Sequence, residues 1–195
     1  MPYSPAHKEQ SRNKLLASAF ELFAHQGYDK ITLNAVTEHA GLTRGAFYNH
    51  FSSKQELYRE AMKFAATNSQ IVAQMEKRKN GSEMLISMIE GYLSQQHLSN
   101  TQPCPLAFLV TDMANQEPEV RASYTHIFEN ITHRLTQLIS GNQRKRKVMP
   151  EAQALAALLI GGVAVGRALD NEDLTNQVMN ACRILAKDSL ERVDD

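Results

Sequence analysis

The chain has 195 residues, 43% hydrophobic and 22% charged, an ordinary globular composition with length for one or two domains and a buried core. Lys plus Arg equals Asp plus Glu at 21 each, which argues against a histone-like or polybasic protein but leaves room for a local basic patch. Two cysteines, Cys104 and Cys182, are too few for a disulfide-stapled secreted scaffold.

Residues 1–20 carry Lys8, Glu9, Arg12 and Lys14 without a long apolar run, so no signal peptide is expected. The most apolar stretch, 154–166, is short of the roughly 20 residues that cross a bilayer. A soluble, cytoplasmic protein without a membrane partner is expected. The six prolines leave long helical windows, and no run alternates as a strand would.

Leu16, Ala19, Phe20 and Phe23 form one apolar stripe, widened by Leu15, on a helix from about Lys8 to Gln26, with Gly27 as its stop. Thr32 caps a short helix over Leu33–His39. Ala40, Gly41 and Leu42 turn the chain, and Thr43 caps a third helix over Arg44–His50. Ser53, Lys54, Gln55 and Glu56 fit a capping box that opens a long helix to about Lys79. After a break at Asn80-Gly81, Ser82 caps a helix to about Leu98. A loop follows, then a helix over about Leu106–Asn115. Pro118, flanked by Glu117 and Glu119, starts another that runs to Ser140. A basic loop from Gly141 to Pro150 precedes helices over about Glu151–Leu169 and Glu172–Arg192. The fold class is all-α, with about nine helices.

Two short helices around a glycine turn, from Thr32 to Phe51, have helix-turn-helix spacing, whose second helix enters the DNA major groove. Leu33, Val36, Leu42 and Phe47 can pack this pair against Leu16, Phe20 and Phe23. The outer face then presents Thr43, Arg44, Tyr48, Asn49 and His50. Arg44 can fork onto guanine or grip a phosphate. Thr43 and Tyr48 suit phosphate oxygens, and Lys54 stands at the next helix N-terminus, where amides also attract phosphate. Gly45 keeps the helix thin. Short amphipathic helices around a glycine are also a common packing unit, and spacing alone does not separate the two readings.

The segment Ala19-Phe20-Glu21-Leu22-Phe23, Gly27-Tyr28, Thr32, Ala40 through Phe51 and Ser53 through Leu57 resembles the TetR/AcrR family of bacterial transcriptional repressors. The resemblance is dense over about Arg12–Met62. It implies a three-helix DNA-binding domain over residues 1–53 and, from the linking helix at 54 to residue 195, a helical domain for ligand binding and dimerisation. Carried over by position, the DNA contacts are Thr32, Thr43, Arg44, Tyr48, His50 and Lys54, with Gly45 and Ala46 against the groove. Thr37 departs from the family's usual alanine, and its hydroxyl needs a partner such as a carbonyl one turn back. Ala35 stands where the family often has a polar residue.

The C-terminal half says less. Pro103 through Ala107, Asp112 and Pro118 through Arg121 look loosely like one AcrR-type subgroup. A pocket for a small, apolar effector would be mostly apolar. Candidate linings are Met62, Met84, Met88, Tyr92, Phe108, Met113, Tyr124 and Phe128, with Phe64 and His126 beside them; each is also a plain core residue by spacing. Cys104, between prolines at a helix start, reads as an oxidant or electrophile sensor or as a small packed residue. Cys182 reads as core. The seven histidines form no ligand-spaced cluster, so no metal and no cofactor is expected.

The stretch 154–166 is apolar nearly all round and must be covered on most faces. Leu155, Leu158, Leu159, Gly162 and Val165, with Val178 and Leu185 on the last helix, fit a homodimer's four-helix interface; a central core helix of a monomer is the alternative. The basic run Arg144–Lys147 reads as a solvated loop or a nucleic-acid patch. No nucleophile–base pair, carboxylate pair or phosphate loop marks an enzyme. A dimeric repressor would set two recognition helices roughly 34–36 Å apart on a palindromic operator; a ligand-free interaction module is the other non-catalytic reading. Residues 1–60 hold seven Lys/Arg against six Asp/Glu, so placement of charge, rather than its sum, would carry any DNA contact.

Overall fold

A computed structural model describes residues 4–69, 81–99, 103–140 and 148–191. Among these residues there are eleven helices and no strand. They are α1 Pro5–Gln26, α2 Leu33–His39, α3 Arg44–Tyr48, α4 Lys54–Thr67, α5 Gly81–Tyr92, α6 Gln95–Leu98, α7 Pro105–Phe108, α8 Val110–Met113, α9 Pro118–Ser140, α10 Val148–Ala168 and α11 Glu172–Glu191. The predicted extension of α4 over 70–79, the Ser82 side chain as a cap and the basic run 144–147 lie outside what is described.

The count exceeds nine because two predicted helices are each divided. Leu93 ends α5, and Ser94 recaps the chain, accepting from the His97 amide to start α6. Leu109 separates α7 from α8. Helix α3 is shorter than predicted: it ends at Tyr48, with Asn49 as its C-cap. In contrast, α10 starts earlier, at Val148, because Pro150 sits in the first turn, where its missing N–H is not needed. That makes α10 a 21-residue helix, long and apolar enough to cross a membrane by length and composition. The predicted 154–166 stretch understated it. Here α10 is a core helix: Ala152, Leu155, Ala156, Leu159, Ile160 and Val163 are buried, and it packs against α9 and α11.

The predicted α1 stripe is buried whole: Leu15, Leu16, Ala19, Phe20 and Phe23 meet Val36, Phe47 and Phe51 in one core. Helix α4 belongs to both halves. Its Leu57, Tyr58, Ala61 and Met62 are buried, and it packs against α1 on one side and α9 on the other.

Two polar ties join the N-terminal helices to the rest. Asp112 on α8 accepts from the Tyr28 amide at 3.0 Å. Arg167 near the end of α10 donates to the Ala24 carbonyl at 3.2 Å, in the last turn of α1. That carbonyl end carries the negative pole of the helix, so a guanidinium suits it.

Candidate nucleic-acid interface and apolar cavity

The turn between α2 and α3 is built by local chemistry. Gly41 adopts φ +65° and donates to the Glu38 carbonyl, while the Leu42 amide donates to the Thr37 carbonyl at 2.8 Å. This pair of bonds is a Schellman motif, which needs a left-handed residue at its corner. The Thr37 hydroxyl donates to the Leu33 and Asn34 carbonyls, one turn back as expected. Thr32 and Thr43 cap their helices, accepting from the Ala35 and Ala46 amides at 3.2 Å each. A capping hydroxyl still has its proton to donate outward.

On α3, Phe47 is fully buried and fixes the helix, while Arg44, Gly45, Tyr48 and Asn49 are exposed and Ala46 is half-buried. Tyr48 is 55% exposed although its ring meets Phe47 edge-on. A Cβ on Gly45 would meet only the Thr43 hydroxyl, at 3.8 Å. Nothing among the described residues therefore demands a glycine there.

Lys54 opens α4. Its Nζ lies 4.1 Å from the centre of the Tyr28 ring, a cation–π contact that fixes the ammonium's position. Burial pulls its pKa below the ordinary lysine value, and Asp29 partly opposes this. Ser53 caps α4 by accepting from the Glu56 amide at 3.0 Å. Glu56 reaches one residue further back than a standard capping box, accepting from the Ser52 amide and hydroxyl.

His50 differs from its neighbours. Its Nε2 lies 2.7 Å from the Ser11 hydroxyl, whose own proton goes to the Lys8 carbonyl. The network therefore assigns the proton to Nε2 and leaves Nδ1 as an acceptor. Burial, then Lys8 and Arg12, push its pKa below the ordinary value. His50, expected as a DNA contact, is half-buried and packs the chain after α3 onto α1 through Ser11.

The second candidate site is a narrow apolar cavity of about 40 Å³ between α4, α5, α7, α9 and α10. Of the predicted lining, Met88 and Tyr92 face it. The others are placed elsewhere. Met62, Met84 and Met113 are buried core. Phe108 lies beneath the Arg167 guanidinium. The Tyr124 hydroxyl donates to the Leu106 carbonyl at 2.8 Å, and Tyr124, Phe128 and Phe64 pack partly buried on the core. His126 lines a separate open groove with Lys63, His133 and Arg134. Residues not predicted complete the cavity wall, among them Ser69, Cys104, Ile131 and Leu135. Helical spacing marks an apolar face but not which neighbour it meets.

Burial pushes the Cys104 thiol above its ordinary pKa, opposed in part by the Tyr92 hydroxyl and the Leu106 and Ala107 amides. The thiol is protonated near neutrality, unlike a reactive thiolate.

Of the predicted dimer residues, Leu155, Leu159 and Gly162 are buried within the protomer. Gly162 is closed in by Cys182 and Leu93, each 3.1 Å from where a Cβ would sit. These three face inward because α10 turns that side to the core. On α10 and α11 the large apolar residues left in solvent are Val165, Leu174, Ile184 and Leu185, while Leu158 and Val178 are half-buried.

Comparison with known proteins agrees with this architecture. Residues 15–61 match bacterial regulatory proteins of the tetR family. The chain is 40% identical over 52 residues to the HTH-type transcriptional regulator SrpR of Pseudomonas putida, covering 27% of this chain and 24% of that one. The matched stretch is thus about a quarter of that relative. Over 167 residues it is 23% identical to the regulator UidR of Escherichia coli K12, covering 84% and 83% of the two chains. A TetR-family regulator from Cytophaga hutchinsonii superposes with a TM-score of 0.78 at 18% identity, over 94% of this chain and 96% of that one. Residues 15–61 thus carry the pattern of the tetR family, and the described fold as a whole is similar to that of TetR-family structures.

Proposed function

We propose that the chain is a cytoplasmic, DNA-binding transcriptional regulator, a repressor that a small apolar molecule releases from a palindromic operator, and not an enzyme. The observation that carries this reading is the exposed polar face of α3, held on a Schellman turn and anchored by the fully buried Phe47. Arg44, Tyr48 and Asn49 are exposed on or beside that helix. Lys54, posted on the Tyr28 ring at the start of α4, supplies the phosphate-facing cation. Gly45 is needed by nothing inside the chain, which fits close approach by a DNA backbone.

Residues 1–53 form the DNA-binding domain and 54–195 the effector and dimer domain. The exposed stripe Val165, Leu174, Ile184 and Leu185 is the face on which two copies pair, because a contiguous apolar patch asks for cover. The cavity of α4, α5, α9 and α10 is the effector site. It is narrow, about 40 Å³, so an occupant must displace its walls, and α4 carries that displacement to the helices that it also packs.

The test is operator selection with the purified chain, then titration by fluorescence anisotropy. Tyr48→Ala and Lys54→Ala should each weaken binding about tenfold; Lys54→Ala should also lower the salt slope by about one, whereas Tyr48→Ala, which removes no charge, should leave it unchanged. Wild-type affinity from these variants, folded and dimeric, would remove the assigned contacts. Failure of the wild-type chain to select any duplex would remove the reading itself.

A further inference from the structure

The cavity has one polar corner. The Tyr92 hydroxyl, on a residue that is 7% exposed, donates to the Cys104 sulfur at 3.2 Å. Sulfur is a weak acceptor, so this buried donor holds a poor partner. The neighbouring Tyr124 hydroxyl is already committed to the Leu106 carbonyl. No Asp, Glu, Lys, Arg or His lines the cavity among the described residues. A charged occupant would lose its hydration there with no ion to offset it.

We propose that the effector is a neutral, apolar molecule carrying one accepting oxygen, of ketone, aldehyde or ester type, and that this oxygen replaces the Cys104 sulfur as acceptor for the Tyr92 hydroxyl. The inference rests on the effector-site reading above and adds the chemistry of the occupant. Burial holds the Tyr92 hydroxyl far above its ordinary pKa, so it stays a donor. Hydrocarbon from Met88, Leu135 and Leu159 receives the rest of the molecule. Cys104 acts as a placeholder that keeps the donor partnered while the site is empty. Its protonated thiol needs no oxidation or bond formation for this role.

Acetophenone and α-methylstyrene share shape and differ in a carbonyl oxygen against a methylene, so they serve as paired probes in a ligand-observed NMR titration. Tyr92→Phe should weaken acetophenone about fivefold, the equivalent of one hydrogen bond, and leave α-methylstyrene unchanged. That unchanged binding also shows that the variant is folded. If Tyr92→Phe does not fold, Cys104→Ala decides the matter. With its placeholder gone, the hydroxyl should favour acetophenone over α-methylstyrene severalfold more than in the wild-type chain. An equal effect of Tyr92→Phe on both probes, no effect on either, an unchanged ratio in Cys104→Ala, or binding of neither probe by the wild-type chain up to solubility would overturn the proposal. Operator binding is measured apart from these titrations, so failure of the regulator reading is seen separately.

Discussion

The guanidinium carbon of Arg167 lies 3.4 Å over the centre of the Phe108 ring while the same group donates to the Ala24 carbonyl. One side chain thus stacks on α7 and holds the last turn of α1. Phe108 in turn meets His97 edge-on, and His97 stacks on Tyr92 at 4.5 Å between ring centres. Contact is continuous from the cavity wall to α1.

Arg167→Met keeps the aliphatic stem and removes the stacking charge and its bond, so it should lower unfolding free energy by about 1–3 kcal/mol in urea. Arg167→Lys should recover little, because an ammonium lacks the planar face. An unchanged urea midpoint for Arg167→Met would show that the tie contributes nothing.

Tyr28 holds Lys54 from below. Tyr28→Leu removes the ring and leaves the backbone amide bonded to Asp112. Operator affinity should fall about threefold, as expected from losing a cation–π contact of about 0.5–1 kcal/mol, with an unchanged salt slope since the charge remains. A lowered slope would mean that Lys54 had left the interface.

His97 is buried, its Nε2 has no hydrogen-bond partner, and burial with nearby Arg167 lowers its pKa to about 4 from 6.5. The unfolded chain therefore binds the proton first. Stability should drop as pH falls from 6.5 to 4, by about 3 kcal/mol from this group. His97→Phe should flatten that part of the curve without loss of stability at pH 7.5, as followed by urea unfolding at each pH. His50 shifts in the same direction, so some slope should remain.

Gly41 and Gly27 both have positive φ but differ in backbone region. A Cβ on Gly41 meets nothing within 4 Å, and on Gly27 it makes only ordinary contact with the Asp112 carboxylate. Gly41→Ala at its turn corner should cost about 1 kcal/mol. Gly27 combines φ +79° with ψ 163°, a region open almost only to glycine, so Gly27→Ala should cost more. Equal losses by thermal melting would show that the backbone at Gly27 relaxes on substitution.

What was legible in the sequence was local. Thr32, Thr43 and Ser53 announce their caps within three residues, and Gly41 announces its turn. The α1 stripe is read from its period. The ties that join the two halves were not legible, because Tyr28 and Asp112 stand 84 residues apart and Ala24 and Arg167 stand 143 apart. No spacing rule links them. Met62 and Met113 could not be told from Met88 for the same reason: periodicity gives a face, and only the packing decides whether that face meets core or cavity. The Ser11 contact of His50 was not legible either, since the two stand 39 residues apart. Leu155, Leu159 and Gly162 looked like interface because a helix apolar all round does not say which side its own chain already covers.

The narrowness of the cavity sets the heat of its response. A small space walled by hydrocarbon holds little water to release, so an entering molecule gains chiefly by restoring close contact to walls that lacked it. Its calorimetric signature should be exothermic with a negative heat-capacity change, rather than driven by solvent entropy. Warming should then loosen the grip of the site on its occupant.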